Sequence, residues 1–364
     1  MEQAYRTLGL MSGSSLDGVD LVCCDLLNED KTWNYRILAA ETIPYPEKWQ
    51  KRLLSAHQDS RDQHKILDSD LGAFFGRLLI QFMEKHRVGP GLISSHGHTV
   101  LHEPDHGITF QAGSGQTIAD ITRTRVVSDF RREDVEQGGQ GAPLVPVGDQ
   151  LLFHRFGGCL NLGGIANISF DDAGGRRVAF DICPANMALN WLAGLKGLDM
   201  DRDGKLAGSG TNDPRLMVAL NALDFYQAPP PKSLGREWFL SQFLPLIQKA
   251  DLSLEDRMAT VVEHIAMQTG KVIDAQGLRS VLVTGGGALN KVLMERLQSR
   301  TQAEVVVPEE RLIHYKEAII FALLGVLKVR NEINCLSSVT GGRKDLSAGT
   351  VYDPAADNEP RNNG

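Results

Sequence analysis

Asp181 is the residue in this chain best placed to act on a substrate. It closes an apolar run, Val178–Ile182, just before Pro184 and Asn186. A carboxylate at the C-terminal end of a strand, with a helix to follow, is a frequent position for a general base in α/β proteins. A turn or helix-cap aspartate would have the same local sequence. Phosphate chemistry is suggested elsewhere. Residues 9–20 read Gly-Leu-Met-Ser-Gly-Ser-Ser-Leu-Asp-Gly-Val-Asp, between apolar runs at Thr7–Met11 and Val19–Leu27. This predicts a β-hairpin with a small, flexible tip whose amides can converge on an anion. Asp17 and Asp20 put carboxylates within reach of a Mg²⁺ on such phosphates. An ordinary Gly/Ser hairpin turn reads the same way.

Gly285-Gly286-Gly287-Ala288-Leu289-Asn290 follows the strand Val281–Thr284 and opens a helix, a natural place for phosphate or ribose. Asn290 stands where a dinucleotide fingerprint wants glycine, and no Walker-type Gly-x-x-x-x-Gly-Lys-Ser/Thr occurs. A third glycine turn is Asn161-Leu162-Gly163-Gly164. Residues 96–106 hold four histidines and a literal His102-Glu-x-x-His106, but Pro104 breaks the helix that a zinc site of this type needs. A polar loop lining a substrate cleft is expected there. Asp201-Arg-Asp-Gly204 lacks the distal ligands of a calcium loop and reads as a turn. Phe130–Asp134, followed by the Gly138–Pro146 Gly/Pro turn, offers Arg131 to a carboxylate or phosphate, or else forms a solvated salt-bridged loop. Glu317 lies near the start of an apolar helix, where capping is the plain alternative.

The elements that must hold these residues alternate. Strand-like runs recur at 7–11, 19–27, 92–94, 124–127, 159–162, 165–170, 177–182, 280–284 and 304–307. Helical segments are expected at 46–57, 63–86, 186–196, 234–249, 255–275, 289–299 and 315–330. That order is α/β. The chain has 364 residues, enough for two domains or one large one, with ordinary hydrophobic (42%) and charged (23%) content. A net charge of −7 without a basic tract argues against nucleic acid and anionic membrane as partners. Five cysteines without a C-x-x-C pair argue against a disulfide framework or a structural zinc site. The first residues lack signal-peptide form and the longest apolar run is too short to span a bilayer, so a cytoplasmic location is expected.

Taken in order, GLMSGSSLDGVD, SHGHTVLH, DFRREDVEQGGQGAPLVP, NLGGIANISF, FDICPAN, KSLGREWF, VTGGGALNKVLM, EAIIFALLG and SSVTGG resemble the anhydro-N-acetylmuramic acid kinase family from residue 9 to about 342. The resemblance implies a two-lobed α/β kinase of the actin, Hsp70 and hexokinase superfamily (ribonuclease H-like). One lobe would span 1–130 plus about 335–364 and the other 131–334, with nucleotide in the cleft between them. Members open the 1,6-anhydro ring with water and phosphorylate the freed 6-oxygen from ATP with Mg²⁺, for cell-wall recycling. The implied partners are ATP and a small sugar, with neither nucleic acid nor membrane, and the form is compatible with a homodimer. By the same resemblance Asp181 is the base. Gly13, Ser14, Ser15, Leu16, Asp17, Gly18, Val19 and Asp20 form the first phosphate hairpin, Gly163 and Gly164 lie on the second, and Gly285, Gly286 and Gly287 lie near the adenosine. Arg131, Asp134, Glu317 and His98 belong in or beside the sugar pocket.

This chain departs from the family pattern at several places. Ile182, Cys183 and Ala185 stand for Thr, Gly and Gly, which adds bulk beside Asp181. Glu133 replaces an arginine, His98 a glutamine and Asn190 an aspartate. A kinase for a related sugar, or a nucleotide-binding regulator without phosphotransfer, are the competing expectations.

Overall fold

The computed structural model describes residues 3–13, 16–30 and 32–356. The chain folds as two compact units, Met1–Leu152 with Glu317–Gly364, and Phe153–Lys316. The sequence had suggested that 131–152 and 317–334 belong with the second lobe. They pack in the first instead, where Gly148 meets Ile320 so closely that a Cβ would stand 2.6 Å from its Cγ1. The Thr340 hydroxyl also reaches back to Asp134 at 2.8 Å.

The sheet of the first unit holds β1 (Gln3–Ser12), β2 (Gly18–Glu29), β3 (Thr32–Pro44), β4 (Leu92–Glu103), β5 (Ile108–Ala112), β6 (Val126–Ser128) and, from the C-terminal segment, a strand at Thr350–Tyr352. Three strands form an antiparallel meander, β3-β2-β1, and β4 and β6 then add in parallel beside β1. The second unit contains β7 (Gly158–Leu162), β8 (Ile165–Asp171), β9 (Arg177–Pro184), β10 (Ser280–Thr284) and β11 (Glu304–Val306). It repeats the plan: meander β9-β8-β7, then β10 and β11 in parallel beside β7. Short tips suffice for the meanders, but parallel neighbours need long crossovers, usually helical. The helices Arg61–His86 and Leu254–Ala275 fill the crossover into β4 and β10 respectively. The first begins at a capping box in which Ser60 and Gln63 bond each other's backbone N–H, and it stops at Arg87 in the left-handed region (φ 53°).

Each unit has its own core. Leu8, Leu10, Leu21, Phe75, Phe82 and Ile93 build the first, and Leu160, Ile168, Phe243, Ile265 and Val281 the second. The helix expected at 234–249 runs from Arg236 to Lys249 and widens into a π-turn at Phe239–Phe243. Pro245 lacks the N–H that an unbroken ladder would use there. The histidines at 96–102 lie on β4, not in a loop, with His96 and His98 buried in the sheet. His102 ends on that strand while His106 falls in the 3₁₀ turn begun by Pro104, so the two do not share a helix face.

Candidate active site

In the second unit the carboxylate of Asp181 is fixed from two sides. Asp181 lies within β9, the edge strand, three residues before its end. A β-bulge interrupts the β8–β9 ladder here, because Asn167 pairs with Asp181 and Ala166 with Cys183, leaving Ile182 as the extra residue. Bulges of this type re-aim side chains beside active sites. The free edge of β9 is covered by the segment Lys232–Leu234. The Lys232 carbonyl accepts the Asp181 N–H at 3.0 Å, and the Leu234 N–H donates to Asp181 Oδ2 at 2.8 Å. Burial raises the Asp181 pKa above the ordinary carboxylate value, and the Leu234 hydrogen bond opposes the rise. The result is a half-buried carboxylate with one oxygen held and a proton affinity above that of a free aspartate.

The bulk beside Asp181 goes inward. Ile182 is 2% exposed and Cys183 and Ala185 are fully buried, so all three residues enlarge the core. Asn186 then opens a helix, Asn186–Gly194, whose first amides are already taken: Gly163 O accepts Asn186 N, and Gly164 O accepts Ala185 N and Met187 N, at 2.9–3.0 Å. Gly163 and Gly164 therefore present carbonyls to that helix and cap it. The Asn186 amide donates to Leu162 O at 2.9 Å, tying the β7 tip to the helix.

Gly285 turns β10 into a 3₁₀ turn, Gly286–Leu289, with φ of 80°, and a Cβ there would come within 2.8 Å of the Leu162 carbonyl carbon. Both facts require glycine. Among the described residues no hydrogen bond engages the N–H groups of Gly286 or Gly287; Gly286 is exposed, while Gly287 is buried against Leu162. The α-helix itself starts later, at Lys291, with Asn290 as its cap through a 3.0 Å bond to Leu293 N. That explains why asparagine stands where a dinucleotide fold would need glycine. Asp201 is a cap as well, accepting from Leu206 N and Ala207 N, which makes the calcium-like stretch a turn.

In the first unit the tip between β1 and β2 contains the expected hairpin. Ser14 and Ser15 lie outside the described residues. Gly13 O accepts Leu16 N at 3.4 Å, and Leu16 has a positive φ of 58°. Asp17 is exposed, and Asp20 accepts the Thr42 hydroxyl at 2.6 Å. Gly18 and Val19 have other duties. Gly18 sits against β3, where a Cβ would be 2.8 Å from Thr42 Cγ2, and Val19 is fully buried with its backbone in the ladder between Ser12 and Ile43.

His98 lies beside this hairpin, its Nδ1 2.9 Å from Ser12 Oγ, which also meets Tyr45 OH at 2.7 Å. Tyr45 is not marked out by the sequence. Burial pushes the His98 pKa from 6.5 down to about 4. Its folded pKa is below its unfolded one, so the stability linked to it is complete above the unfolded value and is lost as pH falls toward 4. Between neutral pH and pH 5 this costs on the order of 2 kcal/mol. Denaturant unfolding at pH 7.5 and pH 5 should show that loss in the natural chain and a smaller one in His98→Gln. Equal losses in the two proteins would clear His98 of the effect.

Arg131 is oriented by a neutral histidine. Its Nε and Nη2 donate to His96 Nε2 at 3.1 and 2.9 Å, and Nη1 donates to Gly141 O at 2.8 Å. His96 Nε2 must then be an acceptor, so its proton sits on Nδ1, 3.0 Å from Gly97 O. Burial, and then the neighbouring Arg131 charge, hold the His96 pKa well below 6.5. Burial also lowers Arg131 to about 10, while the Glu317 carboxylate works in the other direction. Arg131 and Glu317 are thus brought together electrostatically. Asp134 is different. It is fully buried, with Oδ2 accepting Gly141 N and Oδ1 accepting Thr340 Oγ1, both at 2.8 Å. Oδ2 holds the Gly138–Pro143 turn and Oδ1 ties it to Thr340, so Asp134 fixes the backbone whose Gly141 carbonyl accepts from Arg131. The charged stretch that could have been a solvated loop is a short helix, Arg132–Glu136, with a buried anchor.

The doubled meander-plus-parallel topology, with a glycine turn after the first strand of each sheet, defines a ribonuclease H-like α/β fold. The chain belongs to the family described as "Anhydro-N-acetylmuramic acid kinase", whose model matches residues 5–354. It is 34% identical to the anhydro-N-acetylmuramic acid kinase of Mannheimia succiniciproducens over 97% of this chain and 99% of that one. It is 35% identical to that of Pseudomonas savastanoi pv. phaseolicola, over 95% and 98% of the two chains. Component A of (R)-2-hydroxyglutaryl-CoA dehydratase from Acidaminococcus fermentans superposes with a TM-score of 0.48 at 14% identity, covering 90% of this chain and 99% of that one. No described helix is long and apolar enough to cross a membrane.

Proposed function

We propose that this chain opens the 1,6-anhydro ring of anhydro-N-acetylmuramic acid with water and transfers the γ-phosphoryl group of ATP to the freed 6-oxygen, giving N-acetylmuramic acid 6-phosphate and ADP. The observation that carries the reading is Asp181, a half-buried carboxylate of raised pKa with one oxygen held by Leu234 N–H, in a family member matched over nearly its whole length.

In this reading Asp181 takes a proton from water as the water oxygen attacks the anomeric carbon. The C1–O6 bond breaks on the opposite face, as in inverting glycoside chemistry. The departing 6-oxygen attacks the γ-phosphorus, so the phosphoryl group takes the place of the proton that a general acid would supply. Arg131, aligned by His96 and Gly141, offers its guanidinium to the sugar's carboxylate, with Glu317 nearby. His98 and Ser12 support the base of the first hairpin. The unengaged amide of the exposed Gly286 suits the nucleotide.

A Mg²⁺ accompanying ATP fits the donor set. No group of three metal-binding side chains exists among the described residues, and Mg²⁺ ordinarily takes phosphates and water with one or two carboxylates. Asp17 and Asp20 would supply those carboxylates, and the ion's contribution is to neutralise phosphate charge. The test is mass spectrometry of the products formed from the anhydro-sugar and ATP in ¹⁸O-labelled water. One labelled oxygen at the anomeric position and one phosphoryl group at O6 are expected. A phosphorylated product without label would overturn the proposed ring opening.

A further inference from the structure

The second unit has a cavity of about 270 Å³ behind the candidate base. Phe180 and Ile182, the two neighbours of Asp181 in β9, form part of its wall, together with Val272 on the helix Leu254–Ala275. Asp181 does not line it. The volume lies between that of a benzene-sized engineered cavity, about 150 Å³, and that of most ligand pockets, about 300–1,000 Å³. The lining contains no acidic side chain but two lysines, Lys232 and Lys271. Among the described residues Lys232 is held only by neutral groups: Nζ donates to Phe225 O at 3.0 Å and stands 4.5 Å over the Phe225 ring. Tyr226, also in the wall, has a buried hydroxyl without a hydrogen-bond partner among the described residues. Edge-on to it at 5.1 Å is the fully buried His264, neither of whose ring nitrogens is paired among the described residues. Buried polar groups are normally satisfied, and an unsatisfied pair beside an uncompensated positive cavity marks a place prepared for a ligand.

We propose that this cavity binds a small carboxylate carrying a compact apolar group, and that its occupancy is transmitted to Asp181 through the segment Lys232–Leu234. The carboxylate supplies the counter-charge that the lysines lack, and the apolar group covers Phe180, Ile182 and Val272. Inorganic phosphate would leave that wall uncovered. Transmission follows from connectivity. The residue whose ammonium faces the ligand also accepts the Asp181 N–H through its carbonyl, and the amide two residues on holds the Asp181 carboxylate. Pulling Lys232 toward an anion therefore displaces the groups that set the proton affinity of the base. Ligand binding is independent of the proposed reaction, and only the regulatory consequence rests on it.

Benzoate is a suitable probe, with benzamide as its neutral counterpart. Binding to the full chain is measured by ligand-observed NMR. The Asp181 carboxyl ¹³C titration, assigned against Asp181→Asn, is followed with and without benzoate. Saturable benzoate binding is expected, weaker by about tenfold or more for benzamide and for the Lys271→Met chain. The Asp181 midpoint should move by about 0.3 pH unit or more when the site is full. Lys271 is exposed, and a melting curve verifies that the variant is folded. Absence of saturable binding, equal binding of benzamide, insensitivity to Lys271→Met, or an unmoved Asp181 titration each overturns the proposal. None of these readouts requires turnover, so a failure of the proposed reaction is seen separately.

Discussion

Asp181→Asn should lower kcat/KM for the anhydro-sugar by about 10²–10⁴, the usual range for a missing general base, while leaving the fold as stable as before or more so. The two halves of this expectation have one cause. Burial raises the Asp181 pKa, so the folded state holds the proton more tightly than the unfolded chain does. For a carboxylate of this kind the stability contribution is largest at low pH and is lost as pH rises through the folded pKa. At neutral pH the ionised group strains the fold, and an amide of the same shape relieves it. Asn still accepts the Leu234 N–H through its carbonyl oxygen, so the covering segment stays in place. In the proposed reaction the base must be ionised, so activity should fall below an acid limb above the ordinary aspartate value of about 3.9. Activity within threefold of the natural chain would remove Asp181 from the mechanism. A large loss of melting temperature would mean instead that its role is structural.

Much of this arrangement is legible in the sequence, and the reasons for the gaps are physical. The β1–β2 hairpin and the β7–β9 meander show because apolar runs of strand length are divided by Gly and Ser, a local signal, whereas β3, largely half-exposed and mixed in polarity, does not stand out. Asp181 shows because a carboxylate at the end of an apolar run is conspicuous. Lys232 and Leu234 do not, because they reach Asp181 through backbone atoms about fifty residues away in the chain, and a backbone hydrogen bond carries no residue-type signature. Nor do the roles of His96 and His98, which face the sheet interior and titrate low because of burial. Only tertiary packing makes them neutral. Asp134 reads as part of a charged surface run until Thr340, two hundred residues on, is seen to complete its coordination. The bulge at Ile182 is invisible for the same reason, since it is a property of the pairing with β8.

Gly9→Ala should be the most damaging single methyl group in the first unit, destabilising it by about 3 kcal/mol or more, at the upper end of what overpacking costs. The helix Glu310–Val329 lies unusually close to the sheet along its later turns. A Cβ on Gly9 would overlap the Ala318 carbonyl oxygen, stand 2.9 Å from that carbonyl carbon and 3.2 Å from the Ala322 Cβ. The obstacle is helix backbone, which cannot swing aside as a side chain can. The same closeness recurs along the helix: Gly325 allows Ser94 of β4 to approach, and Ser94 Oγ donates to the Phe321 carbonyl at 2.5 Å. Small residues on both surfaces, Gly9 and Ser94 facing Ala318, Ala322 and Gly325, thus set the separation, and Glu317 sits one residue before the tightest contact. To admit the methyl group the helix must lift from β1, carrying Glu317 away from Arg131 and loosening the strand that leads into Gly13. Gly9→Ala should therefore lose unfolding free energy in a denaturant titration and, in whatever fraction remains folded, raise KM for the sugar. Gly107→Ala is a fitting control: at φ of 70° it carries backbone strain, yet no atom lies within 4 Å of the added Cβ. If Gly9→Ala cost no more than this exposed change, close packing of the helix on β1 would not be what holds Glu317 in place.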